Sequence, residues 1–246
     1  MIRIAMLLAM TISFGLQAQY MDSCTVTFEK TMYIQNMMKD NEWMKKYASN
    51  IPAENKEVFY LVVRPHGSEY FPENTNDIRV PGLWGYALNK NQVSTDLKDS
   101  LYSENKDIYD KKVRVVDTTR NMSWTITNTY RNIAGYNCRQ AITVIFDSVK
   151  VFAFYCPQIK PSAGPDAFNG LPGCILGVAL PALHLNWFAS KVSPSLKELP
   201  KNYMLEKKRE QHTNASLVEL LSSKSSQMPA KYRRKSYYIN AMVILL

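Results

Sequence analysis

The sequence predicts a mainly β protein, a curved antiparallel sheet or a partly open barrel or sandwich, with a helical, basic C-terminal extension. Three observations carry that reading. Runs of β-branched and aromatic residues with period-two alternation recur between Thr25 and Leu180. Gly, Pro, Asn and Asp fall between them at turn positions. No long helical pattern separates one run from the next, which argues against βαβ units.

The elements follow in order. Thr25 to Ile34 reads as a first strand, with Val26, Phe28, Met32 and Ile34 on one parity, and Asn36 to Tyr47 suits a short helix or a loop. Glu57 to Val63 is a second strand, closed by Arg64-Pro65-His66-Gly67, with Ser68 to Pro72 extended beside it. Glu73 to Asp77 is a turn-rich loop, and the polar stretch from Lys90 to Asp110 is expected to be exposed. Strand signals return with VRVVDTT and with Met122 to Tyr130, where Arg131-Asn132 is a candidate turn. Gln140 to Phe146 and Lys150 to Tyr155 flank Asp147-Ser148 as a hairpin. Pro157 and Pro161 end that pair, and Cys174 to Leu180 is a further core strand. Beyond Pro194 the composition changes, with helical segments expected at Ser195 to Glu206 and Lys207 to Ser223.

The N-terminus adds an address. Arg3, an apolar run from Ile4 to Leu16 and the small residue Ala18 form a secretory signal, too short to span a bilayer. Cleavage after Ala18 leaves a β domain over 19–193 and an extension over 194–246. Cys24 lies too far from that junction for lipoprotein processing. The expected location is the periplasm, or loose attachment to the outer membrane. A net charge of +9 over 246 residues favours contact with anionic polymers or lipid head groups, without specifying a fold. Export removes nucleic acid as a partner, although Lys231-Tyr232-Arg233-Arg234-Lys235 is a basic cluster. The apolar tail Tyr237 to Leu246 is either an edge strand docked on the sheet or a partner-binding strand.

The most distinctive stretch is Gly164 to Val178, GPDAFNGLPGCILGV. Gly170, Leu171, Pro172 and Gly173 require a sharp turn before the chain re-enters the core, and one of the two glycines should carry a positive φ. This stretch resembles the signature of the GLPGLI family of exported Bacteroidetes proteins, with Cys174 where that name has Leu. Ile133-Ala134-Gly135-Tyr136-Asn137-Cys138-Arg139-Gln140-Ala141 resembles the family's IxGYxCKKA segment, with Arg139 and Gln140 at the lysine positions. Val151 to Ile159 resembles its following strand, which usually ends WYTPEI, here with Phe154 for Trp, Tyr155 and Pro157 in place, and Cys156 for Thr. Gly164, Pro165 and Phe168 stand in the loop before GLPG. The resemblance implies a periplasmic or surface protein, of a kind often encoded near outer-membrane receptors, with no catalytic residues to carry over. Separately, the strand pattern resembles the curved, open antiparallel sheets of lipoprotein carriers, which hold an apolar ligand on the concave face.

Cys24, Cys138, Cys156 and Cys174 all fall in the exported part, where disulfides are permitted. A three-residue hairpin loop, Phe146 to Ser148, would set Val149 against Ile145 and Cys156 opposite Cys138, making that bridge available. Cys24 and Cys174 would then form the complementary bridge. Free thiols packed as small apolar groups are the alternative. The sequence holds no CxxC, HExxH or GxSxG pattern, and His66, His184 and His212 are widely spaced. No cofactor and no metal is expected. A hydrolase would have to assemble from His66, Ser68 and a carboxylate, while Asp147 and Asp166 read as turn residues.

Overall fold

The computed structural model describes residues 20–39, 52–73, 91–108, 111–204 and 209–226. Among these, twelve strands form one sheet: β1 (Cys24–Met32), β2 (Asn55–Arg64), β3 (Gly67–Pro72), β4 (Gln92–Asp96), β5 (Leu101–Ile108), β6 (Lys111–Thr118), β7 (Thr125–Ile133), β8 (Tyr136–Ile145), β9 (Val149–Cys156), β10 (Cys174–Leu180), β11 (Leu185–Ser193) and β12 (Glu210–His212). The helices α1 (Ile34–Lys39) and α2 (Asn214–Ser226) accompany it. The strand order is β12-β6-β5-β4-β3-β2-β1-β11-β10-β9-β8-β7, so β1 pairs with β11 and joins the N- and C-terminal meanders. Among the described residues, every pairing of these strands is antiparallel except β12 with β6. The mainly β class is therefore as the sequence predicts, and the sheet does not close into a barrel.

Cross-strand register defines an inner face. Val26, Leu61, Tyr70, Val93, Glu104 and Val115 are successive neighbours across β1 to β6, and all are buried. Trp187 of β11 lies on the same face, opposite Lys30 and Val178. Two segments cover it. The connection from Pro157 to Gly173 sets Phe168 edge-on against Trp187 at 6.1 Å between ring centroids. From the other side α2 contributes Leu217 and Leu221, both buried.

The helix is anchored locally. Thr213 and Ser216 exchange backbone-to-hydroxyl hydrogen bonds at 3.0 and 3.2 Å, a reciprocal N-terminal cap. Asp117 of β6 accepts the Asn214 N–H at 2.8 Å, and this bond holds its carboxyl below the usual carboxylate range.

Several expectations change. The stretch from Lys90 to Asp110 is not simply exposed: it supplies β4 and β5, with Asn91, Glu104, Asn105 and Lys106 buried. No helix occupies Ser195 to Glu206 among the described residues there, which include Pro200 and a turn at 201–204. Instead β12 and α2 of the extension join the sheet of the β domain. The turn after β7 falls at Ala134-Gly135 rather than Arg131-Asn132, with φ of 50° and 86°. Two successive positive φ values make the tight primed turn of a two-residue hairpin. The signal segment, most of Asn36 to Tyr47, the basic cluster and the apolar tail lie outside the described residues.

Candidate functional site

The residues singled out by the GLPG and GYxC motifs gather at one end of the sheet. Gly170 and Gly173 both take positive φ, 88° and 141°, as the turn requires. Gly173 also approaches β9 closely, where a Cβ would stand 2.3 Å from the Cys156 carbonyl oxygen. Leu171 is buried, and Pro172 sits between it and Gly173 in the turn. Gly164 admits the Phe168 carbonyl and the Ile175 side chain where a Cβ would clash, and Pro165 accepts the Phe168 N–H. The loop is further tied down by Trp124, whose indole N–H donates to the Asn169 carbonyl at 2.9 Å.

Below this loop the chain crosses itself. Met21 bridges to Ile159, and Lys160 donates its N–H to the Met21 carbonyl at 2.9 Å. The crossing brings Cys24 to the end of β9, into the electrostatic range of Cys156 and Cys174. On the outer face the β7–β8 hairpin tip folds back, setting Ile133 against Gly177 and the Arg131 guanidinium 4.4 Å over the Phe188 ring. Tyr155 is buried beside Cys156, and Tyr136 lies near both Cys24 and Cys156.

All four cysteines are buried and free, so the disulfides expected at Cys138 and Cys156 and at Cys24 and Cys174 are not formed. The geometry behind the first is nonetheless present. The three-residue loop Phe146 to Ser148 sets Ile145 against Val149 and Arg139 against Tyr155, and one step further Cys138 meets Cys156. The Cys138 thiol donates to the Tyr136 carbonyl at 3.6 Å and lies within electrostatic range of Cys156. The Cys138 neighbour, with the Gln158 and Ile159 backbone N–H groups, brings the Cys156 thiol down to about 7, while Cys156 and burial push Cys138 up. Cys156 also reaches Gln158 Oε1 at 2.9 Å. Cys174 faces Cys156 across β10, and burial raises its thiol.

These thiols give a direct prediction. In reduced, folded protein none of the four should react with a bulky alkylating reagent, since each is fully buried. Gentle oxidation of the folded state should remove two thiols and yield a Cys138 to Cys156 bridge by peptide mapping. A first bridge between Cys24 and Cys174 would contradict the register argument.

A second cluster, which the sequence motifs do not mark, lies under the tip of the loop. Asp166, expected as a turn residue, is only 3% exposed and has φ 50°. Asn91 donates to its Oδ1 at 3.5 Å. Glu104 and Lys106, two apart on β5 and so on one face, stand 3.0 Å apart with almost no exposure. Arg120 and Asp166 complete the charges around them. Tyr70 Oη, Trp187 Nε1, Asn91 Oδ1 and both Glu104 oxygens lack a well-formed hydrogen bond, although Glu104 has its ion pair. Opposite charges at strand positions i and i+2 were the signal available for this cluster.

The hydrolase constellation does not assemble. Ser68 is buried on the inner face, Glu69 points to the other face and pairs with Arg64, and His66 sits in the hairpin turn. His212 contacts Ser216 and Glu210 on the far edge, and His184 ends the turn before β11. A cleft of about 370 Å³ runs beside the loop, lined by Pro65, Leu97, Thr119, Lys160, Ser162 and Gly170 among others. No group of metal-ligating side chains with suitable spacing occurs among the described residues.

The class defined by these features is a single curled sheet, antiparallel except at β12, whose inner face is filled by its own Pro/Gly loop and a C-terminal helix. A family model described as "Protein of unknown function (Porph_ging)" matches residues 143–177, from β8 through the loop into β10. No curated protein matches. Two solved structures of PNGF-II are similar in fold. The one in the C2 space group has 11% identity and a TM-score of 0.50, covering 89% of this chain and 33% of that one. The P21 form has 13% identity and a TM-score of 0.51, covering 81% of this chain and 33% of that one. This chain therefore spans about a third of the length of those proteins.

Proposed function

We propose that this chain is an exported, non-enzymatic cell-envelope protein of the GLPGLI type that binds an extended segment of a partner, such as an outer-membrane receptor, along its β7 edge. The observation that carries the reading is the contrast between the two sheet edges. β12 has three residues, whereas β7 runs for nine and is largely exposed, with Ile126 and Tyr130 at 41% and 54% exposure. A long exposed edge offers unpaired N–H and C=O groups for strand addition, while alternate side chains select the partner. The signal segment supports export, and the basic surplus supports peripheral contact with the membrane. A carrier for an apolar ligand has less support, because Phe168, Leu217 and Leu221 occupy the inner face and Phe154 packs under Arg131 and Phe188.

The test is site-specific photocrosslinking in intact cells from Tyr130, with Lys98 in the β4–β5 turn as the control position. A discrete adduct with an envelope protein is expected from Tyr130 alone. The two-residue turn makes Ile133 and Tyr136 the hydrogen-bonded pair that closes the hairpin, so the Asn132 N–H faces away from β8. Asn132→Pro should therefore abolish the adduct by removing an edge N–H. Identical adducts from both positions, or none from Tyr130, would refute edge binding.

A further inference from the structure

We propose that the side chains of Lys106 and Asn91 become joined by an intramolecular isopeptide bond, with Glu104 as the proton shuttle. The register of β4 and β5 sets Gln92 opposite Asn105, and its continuation by one residue, just before β4, aligns Asn91 with Lys106. Asn91 shares its parity with Val93, and Lys106 shares its parity with Glu104, so both lie on the inner face. Side chains directly opposite on an antiparallel pair start about 5 Å apart at Cβ, well within reach of a lysine stem. Both residues are buried, and both have Asp166 as a neighbour. Glu104 Oε1 stands 3.0 Å from Lys106 Nζ. The Asn91 carbonyl oxygen has no hydrogen-bond partner of its own and is free to accept one from a carboxylic acid.

The surroundings suit the reaction. Burial favours the neutral acid of Glu104, opposed by Lys106 and Arg120, and the free amine of Lys106, opposed by Glu104. Moving one proton within the pair gives a nucleophilic amine beside a proton donor. The Lys106 Nζ lone pair then forms a bond to Asn91 Cγ, and the carbonyl π pair moves to Oδ1, stabilised by the Glu104 acid. Glu104 accepts the extra proton from Nζ and delivers a proton to Nδ2. Collapse of the intermediate breaks the Cγ–Nδ2 bond and releases ammonia. One amide replaces another, so neither oxidant nor reductant is needed. Exclusion of water from the interior removes the competing hydrolysis.

The experiment is tryptic peptide mapping of the purified full chain after denaturation and thiol blocking. Trypsin should fail to cut at an acylated Lys106, so residues 91–98 should be recovered covalently joined to residues 99–111. The joined species should weigh one ammonia less than the two peptides together, and Lys106→Arg and Glu104→Gln should each prevent it. Recovery of 91–98 alone with efficient cleavage after Lys106 would overturn the proposal. So would a species linked through Asp166 with loss of water. The wild-type result is decisive even if a variant fails to fold.

Discussion

Gly173→Ala is expected to be among the most damaging single substitutions in this chain, lowering stability by on the order of 2 to 6 kcal/mol. Two independent terms add. The φ of 141° is strained for any residue with a Cβ, which costs about 1–3 kcal/mol. The new methyl would also fall 2.3 Å from the Cys156 carbonyl oxygen and 2.9 Å from Pro157 Cα. Those are backbone atoms that no rotamer change can move, so overpacking adds about 1–3 kcal/mol. Gly135→Ala is the matched control. Its φ of 86° is also unfavourable, but nothing lies within 4 Å of the added methyl. Only the left-handed penalty of about 1–2 kcal/mol applies there. Denaturant midpoints of the two variants should differ clearly, with Gly173→Ala far lower. Equal midpoints would mean that the approach to β9 is not what requires glycine. Since a domain is stable by only about 5–15 kcal/mol, folded yield should fall for Gly173→Ala as well.

Phe168→Ala should cost about 3–5 kcal/mol, the range for emptying a buried aromatic site. The ring is buried against Trp187, whose other neighbours on the sheet are Lys30 and Val178. Lys30 Nζ lies 5.0 Å from the Trp187 ring and 5.5 Å from that of Phe59, so this charge is held among aromatic faces. Removing Phe168 opens space beside Trp187 and loosens the loop that covers it. Alongside the lower midpoint, native-state cleavage by thermolysin within residues 157–173 should become faster than in wild type. A small stability change with unchanged cleavage would show that the loop is held by its backbone bonds, such as Ile175 N–H to the Ala163 carbonyl, and not by the ring.

Local chemistry made much of this fold legible. The apolar run from Cys174 to Leu180 marks β10, because a strand covered on both faces must be apolar throughout. Gly170 and Gly173 announce positive φ, since a non-glycine residue there would meet its own backbone. The loop at Asp147 follows from a turn residue between two alternating runs. The candidate site was legible only in part. The motif residues predicted where the chain bends, and the three-residue loop aligns Cys138 with Cys156, yet neither tells whether the thiols join. The buried polar cluster escaped notice because Asn91, Glu104 and Lys106 carry polar side chains, and composition assigns such residues to solvent. What buries them is a cover arriving from residues far away in sequence.

The sequence by itself determined the β class, the positions of most turns, the demand for glycine at the GLPG bend and the helix built around Leu217 and Leu221. Each is set by backbone sterics or by side-chain periodicity within a few residues. Only the tertiary structure decided that β1 pairs with β11, that the Pro/Gly loop fills the inner face and that Cys24 and Cys174 come to the Cys138 and Cys156 pair. It also decided that Asp166 is buried beside Asn91, Glu104 and Lys106. Those outcomes depend on which surfaces cover one another once the sheet curls, and such long-range burial leaves no periodic mark along the chain.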